Sequence, residues 1–280
     1  MNEYIEGSSK ELMALAEKNQ SIYLTATPFP HITFHDFFNT SYLDLILKEF
    51  PDLSKKKTIS HNNTREIKYG SKGELFFGKE TKKLMHFLNS EPFLNFLQKL
   101  TGIKEQLIPD PHFSGGGQHE IKKGGLLKIH VDFNKHPETS LDRRINVLVY
   151  LNKDWQKSFG GYLELWNNDM SECGAKILPI FNTLTVFSTT DFSYHGHPDS
   201  LNCPEDRSRK SLALYYYSNG RPAEETNTRN VQHGTLFKPR KGNKNDSKAF
   251  SFSNYSVSDI LIEILPPIVI KSIKRMVGKK

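Results

Sequence analysis

Gly124-Gly125-Leu126-Leu127-Lys128-Ile129-His130-Val131-Asp132 is the stretch whose reading decides the fold. An apolar-rich run behind a double glycine reads as a strand entered from a turn. Side chains alternate faces along a strand, so residues two apart point the same way. His130 and Asp132 therefore lean together toward one point, and Val131 turns to the opposite face. An imidazole and a carboxylate delivered side by side are two members of a two-His, one-carboxylate metal face. Such a face leaves three adjacent coordination positions open, which is what a non-haem Fe(II) oxygenase requires for co-substrate and oxygen.

The third ligand must come from another strand. Ser193-Tyr194-His195-Gly196-His197-Pro198 follows the strand expected over Leu184–Ser188. His195 and His197 compete for the place, and Gly196 beside His195 permits close backbone approach, which favours His195. His197-Pro198-Asp199 repeats the His-x-Asp spacing, but Pro198 cannot donate in a sheet and marks a loop, so this second match reads as incidental.

A dicarboxylate co-substrate chelating the metal at one end leaves a second carboxylate to neutralise in a confined space. A guanidinium does that better than an ammonium. Arg209 and Ser211 open the last expected strand on one face, with Lys210 pointing away; Arg207 is the rival arginine. Tyr150 ends the strand Ile145–Leu151 on the face of Asn146 and Leu148. It reads either as a hydroxyl donor to the same carboxylate or as core.

Around these residues the chain changes period. Residues 8–20, Asp36 to Phe50, Lys79 to Leu88 and Pro92 to Leu100 carry apolar stripes at helical spacing. Pro28-Phe29-Pro30-His31-Ile32 reads as a strand entering a core. Residues 52–72, with Lys55-Lys56-Lys57 and His61-Asn62-Asn63, read as an exposed loop. From about Leu107 short strands follow: Leu126–Phe133, Ile145–Leu151, Tyr162–Trp166, Lys176–Ile180, Leu184–Ser188 and Ser211–Ser218. Turn signals at Gly115-Gly116-Gly117, Gly160-Gly161, Asn167-Asn168-Asp169 and Cys173-Gly174 separate them. The fold expected is α+β, mainly β: a distorted jelly roll with supporting N-terminal helices. Residues 1–104 form the support, 105–220 the catalytic core, 221–256 a polar basic linker read as extended or disordered, and 257–280 an amphipathic basic segment interrupted at Pro266-Pro267.

The 280 residues suffice for one large domain with additions. The net charge of +7 is not spread evenly. Residues 221–280 hold 12 Lys/Arg against 5 Asp/Glu, and residues 1–220 hold 26 against 26. Basicity thus belongs to the C-terminal part, and specific nucleic-acid binding is not expected of the body. Two cysteines give no disulfide framework, and no run of 18 apolar residues spans a membrane. The polar, acidic opening lacks a secretory leader's basic-then-apolar pattern, so a cytoplasmic location is expected.

Taken together, His130-x-Asp132, His195 and Arg209-x-Ser211 resemble the Fe(II)/2-oxoglutarate-dependent dioxygenase superfamily, in particular its prolyl 4-hydroxylase-like branch. Tyr150-Leu151-Asn152-Lys153-Asp154-Trp155 and Gly160-Gly161-x-Leu163-Glu164-Leu165 resemble that branch closely. The resemblance covers roughly residues 105–220, and Pro28-Phe29-Pro30-His31-Ile32 is similar to the start of its bacterial members. It implies a double-stranded β-helix. It also implies Fe(II) on His130, Asp132 and His195, and 2-oxoglutarate held by Arg209 and Tyr150, with Ser211 beside them. O₂ is the oxidant, ascorbate an optional accessory, and the product a hydroxylated peptide or small molecule. Two departures stand out. Glu120, with Gln118 and His119 beside it, occupies a position where many prolyl hydroxylases place tyrosine. The segment Pro198–Asp206 lengthens the gap from His195 to the arginine.

Two rivals set the terms of test. One is a catalytically inactive jelly-roll module binding a sugar or peptide. The other is a cupin-like zinc or manganese enzyme without co-substrate, against which the Arg-x-Ser strand speaks. The segment 257–280 reads as a partner helix, a helix docked on its own domain, or a peripheral membrane anchor.

Overall fold

The computed structural model describes residues 4–5, 8–227 and 231–250. Four helices precede most of the sheet. Helix α1 (Ser9–Thr25) begins where Ser8 and Glu11 cap each other reciprocally. Helix α2 (Thr40–Glu49) is capped by Asn39, whose side chain accepts from the Tyr42 amide. Helices α3 (Lys79–Leu88) and α4 (Glu91–Thr101) follow, the latter stopping at Gly102 with φ +66°. Their apolar stripes, including Leu43, Ile46, Leu84, Phe93, Phe96 and Leu97, are buried in one cluster.

That cluster closes over a sheet. The strands are β1 (His31–His35), β2 (Ile59–Asn62), β3 (Glu66–Gly70), β4 (Ile108–Pro109), β5 (Gly117–Lys122), β6 (Leu126–Val131) and β7 (Asp142–Tyr150). They continue with β8 (Leu163–Trp166), β9 (Cys173–Ile177), β10 (Thr183–Ser188), β11 (Tyr194–His197), β12 (Ser208–Ser218) and β13 (Leu236–Phe237). The path runs β1-β10-β7-β12-β5-β3-β6-β11-β8-β9, with every pairing antiparallel. It curls into a nearly closed, barrel-like sandwich, the jelly roll expected.

Alternation assigns the faces. On β7, Ile145, Val147 and Val149 join Leu212, Leu214 and Tyr216 of β12 against the helices. Asn146, Leu148, Arg209, Ser211 and Tyr215 line the interior instead. Each fully buried aliphatic side chain on the helix side contributes about 1.5–3 kcal/mol. The register of β12 against β7 shifts after Tyr216, where Tyr216 faces Ile145 and Tyr217 faces Arg143. Arg144 is the extra residue of this bulge, and Arg143 is re-aimed to the side of Asn146.

The structure departs from the sequence reading at four places. Residues 52–72 are not an exposed loop: β2 and β3 form a hairpin there, and β3 pairs with both β5 and β6. The inward side of this hairpin faces a polar cavity, so no apolar alternation betrays it. Cys173-Gly174 is not a turn but the start of β9. A Cβ at Gly174 would lie 2.9 Å from Pro28 Cδ, so the glycine serves a close approach. Tyr194–His197, where no strand was expected, forms β11, and Pro198 follows outside it.

The fourth difference concerns residues 231–250, expected to be extended or disordered. β13 pairs with β6, setting Phe237 opposite His130, and helix α5 (Lys244–Ala249) follows. Asp246 is buried beside Lys128 at 2.9 Å and Arg240 at 2.8 Å, and Arg240 also meets Asp199 at 2.8 Å. This ion cluster fastens the strap to the ligand-bearing strand. The segment 257–280 lies outside the described residues. Among the described residues no helix is long and apolar enough to cross a membrane.

Candidate metal centre and co-substrate cavity

β6 and β11 lie side by side with His195 directly opposite His130, and the two rings sit 4.5 Å apart. Asp132 follows β6 by one residue. Its Oδ1 is 3.5 Å from His130 Nε2 and its Oδ2 is 3.3 Å from His195 Nε2. One donor atom from each of the three residues falls within 4.8 Å of the others. His197, the competitor, is not in that group.

The tautomers suit a metal. His130 Nδ1 contacts the Lys128 carbonyl and His195 Nδ1 the Ser193 carbonyl, each at 2.8 Å. A carbonyl only accepts, so Nδ1 carries the proton on both rings and Nε2 offers its lone pair. Asp132 is held from behind. Asn146 Nδ2 donates to Oδ2 at 2.8 Å, and Arg143 Nη2 lies 2.9 Å from the same oxygen. Burial alone would raise this carboxyl's pKa, but the Arg143 guanidinium beside it holds it well below the usual range. A carboxylate and two imidazole Nε2 atoms aimed at one point make a donor set that fits Fe(II).

Behind the triad lies an inner cavity of about 70 Å³. Arg209 is buried in its wall, its Nε donating to the Gly161 carbonyl at 2.9 Å and its Nη2 to the Tyr150 hydroxyl at 3.3 Å. Ser211 lines the same space. Arg207 turns away and donates to the Lys153 carbonyl. A guanidinium sharing a cavity wall with a metal face suits a short dicarboxylate. His197 also lines this cavity, with burial, Arg209 and Lys68 holding its pKa well below the ordinary imidazole value.

An outer cavity of about 190 Å³ adjoins the inner one, the two sharing Lys68, His119, His130, Asp132 and Tyr215 in their walls. Its wall includes His61, Glu66, Lys68, His119, Arg143 and Tyr215. Lys68 meets Glu66 at 3.0 Å; burial opposes both charges, but the pair keeps the amine raised and the carboxyl lowered. Burial and Lys68 push the His119 imidazole down to about 3, so it stays neutral. Arg143 stacks over Tyr215 at 3.4 Å and over Phe133 at 4.3 Å.

Thus His130, Asp132, His195, Arg209, Tyr150 and Ser211 are all brought to one connected region. Sequence reasoning missed Arg143, Lys68, His119, Tyr215 and the orienting role of Asn146. Asn146 was the legible one, since alternation already set it on the inward face with Tyr150.

A family model described as the 2OG-Fe(II) oxygenase superfamily matches residues 117–217. Residues 117–217 are a 2OG-Fe(II) oxygenase domain. Its metal is Fe(II) and its co-substrates are 2-oxoglutarate and O₂. The curated prolyl 3-hydroxylase OGFOD1 of Xenopus laevis is 26% identical over 204 residues, which is 70% of this chain and 36% of that protein. The chain therefore spans about a third of the length of this relative. Among solved structures, a prolyl hydroxylase from Trichoplax adhaerens in complex with a hypoxia inducible factor oxygen degradation domain peptide fragment superposes with a TM-score of 0.54 at 18% identity, covering 75% of this chain and 91% of that one. A Pseudomonas putida prolyl-4-hydroxylase gives 0.53 at 16% identity, covering 75% and 100%. At those identities the structural likeness concerns the fold.

Proposed function

We propose that this chain is an Fe(II)- and 2-oxoglutarate-dependent hydroxylase, acting on a prolyl residue or a small organic molecule and releasing succinate and CO₂. The observation that carries this reading is the convergence of His130, Asp132 and His195, with Arg209 in the wall of the adjoining cavity and Tyr150 hydrogen-bonded to it. When bound, Fe(II) with 2-oxoglutarate supplies O₂ activation coupled to decarboxylation of the co-substrate.

The chain's own residues set the geometry. His130 and His195 present Nε2 because backbone carbonyls hold their Nδ1 protons. Asn146 and Arg143 fix the Asp132 carboxylate and leave Oδ1 free of both. Arg209, steadied by its bond to the Tyr150 hydroxyl, neutralises the far carboxylate of the co-substrate. The apolar walls, among them Leu148, Leu163 and Phe187, exclude water from the reacting end. The outer cavity receives the substrate, and its His61, Glu66, Lys68 and Arg143 suit a polar one.

Relatives that are prolyl hydroxylases favour a peptide substrate, and the departure at Glu120 keeps a small molecule in view. Glu120 is turned from the cavity, accepting from the Leu53 amide and the Ser208 hydroxyl. A cytoplasmic location agrees with Cys173 and Cys203, both free. The test is succinate release over peptide and small-molecule pools, with mass spectrometry for a gain of one oxygen. Substrate-stimulated succinate that disappears in His130→Ala supports the reading; turnover unchanged in that variant refutes it.

A further inference from the structure

His197 is 3% exposed, and neither ring nitrogen has a hydrogen-bond partner among the described residues. Buried polar groups are almost always paired, so an orphaned imidazole in a cavity wall points to a ligand atom. The ring borders the inner cavity together with Arg209 and Ser211. We propose that His197 donates a hydrogen bond to the distal carboxylate of the dicarboxylate co-substrate, as a further partner beside Arg209 and Tyr150. This rests on reading the inner cavity as the 2-oxoglutarate site.

Three observations converge on that atom. The first is distance along the chain. His197 lies two residues beyond the ligand His195, about 6.6 Å along a strand. The carboxyl carbons of a five-carbon diacid are separated by four C–C bonds of ~1.5 Å, a zigzag of about 5 Å. A ligand gripped at His195 thus ends near His197. The second is the bulge between His195 and His197, where the register against β6 shifts. A Cβ at Gly196 would lie 2.7 Å from the Leu127 carbonyl oxygen and 2.9 Å from that of Lys128. The backbone is therefore pressed onto β6, and both histidines line the cavity. The third is the company His197 keeps. Arg209 and Lys68 also line this cavity, and their cations only donate, so neither can receive the imidazole N–H. An entering carboxylate can.

The test uses the full chain loaded with Zn(II), which prevents turnover. Calorimetric titration compares 2-oxoglutarate with pyruvate, which shares the 2-oxo acid head and lacks the far carboxylate. His197→Val is expected to weaken 2-oxoglutarate about tenfold to hundredfold, the range for a bond to a charged group. Pyruvate binding should not change, and His197→Gln should recover part of the loss. Equal weakening of both ligands, or unchanged 2-oxoglutarate affinity, overturns the inference. Ring ¹⁵N shifts of His197 in the wild-type chain test it without any variant: they should move on adding 2-oxoglutarate and not pyruvate, and no such movement overturns it. A wild-type chain that binds neither ligand overturns the reading of the cavity, and this inference with it.

Discussion

Asn146 Nδ2 donates 2.8 Å to Asp132 Oδ2, and the oxygen of the same amide accepts from Arg143. The carboxylate is therefore oriented by a neutral side chain that is itself anchored by a cation. Replacing Asn146 with Leu removes the orienting bond without changing charge. Metal affinity should fall about tenfold to hundredfold, as for other partners that steer a ligand from behind. A metal titration of the purified variant checks this; affinity within a factor of two of wild type would deny Asn146 that task.

Gly161 has φ +72°, and a Cβ there would lie 2.5 Å from Leu201 Cδ2 and 3.0 Å from Arg209 Cδ. Gly161→Ala is expected to cost about 1–3 kcal/mol in stability through backbone strain. It should also displace the guanidinium and raise the apparent KM for 2-oxoglutarate more than it lowers kcat. Thermal unfolding and a 2-oxoglutarate titration measure the two effects separately.

The strap depends on buried charge. Asp246 is fully buried between Lys128 and Arg240, whose cations outweigh burial and keep its carboxyl ionised. Asp246→Ala leaves Lys128 as an unpaired ammonium in the interior, and should cost about 3–5 kcal/mol in denaturant unfolding. Asp246→Asn keeps some hydrogen bonds and should cost less.

A second fastening of the strap responds to pH. His233 Nε2 contacts Asp191 Oδ1 at 3.0 Å. Burial pulls the imidazole pKa down, but Asp191 and the Gly234 carbonyl outweigh it, and the net shift is upward. A raised folded-state pKa means the contribution is fully present below the unfolded value near 6.5 and fades as pH rises through the folded one. The stability advantage of wild type over His233→Gln should therefore be largest in mild acid and vanish in mild alkali. Asp191, lowered despite burial, adds a loss at much lower pH as it protonates. Paired denaturant curves across this range give the answer.

Most of the framework was legible in the chain. Helices α2, α3 and α4 announce themselves because one face of each is apolar and buried. His130, Asp132 and His195 were legible because ligand chemistry restricts residue type and strand spacing restricts direction. What escaped was polar structure facing polar space. Glu66-Ile67-Lys68-Tyr69-Gly70 looks like loop because Glu66, Lys68 and Gly70 line a cavity and are not apolar. Arg143 reaches Asp132 only after a bulge has shifted β7 by one residue, and no local pattern records that shift. The strap at 231–250 reads as linker since charges such as Asp246, Arg240 and Lys128, not apolar side chains, dock it.

The central claim is that His130, Asp132 and His195 hold one ferrous ion to which 2-oxoglutarate binds, with Arg209 receiving its far end. Anaerobic addition of Fe(II) and 2-oxoglutarate tests it most directly. The account predicts a visible-region charge-transfer band at one iron per chain in the wild type, and none in His130→Ala or Asp132→Ala. A wild-type chain that develops no such band at saturating Fe(II) and 2-oxoglutarate, or an undiminished band in Asp132→Ala, would contradict it.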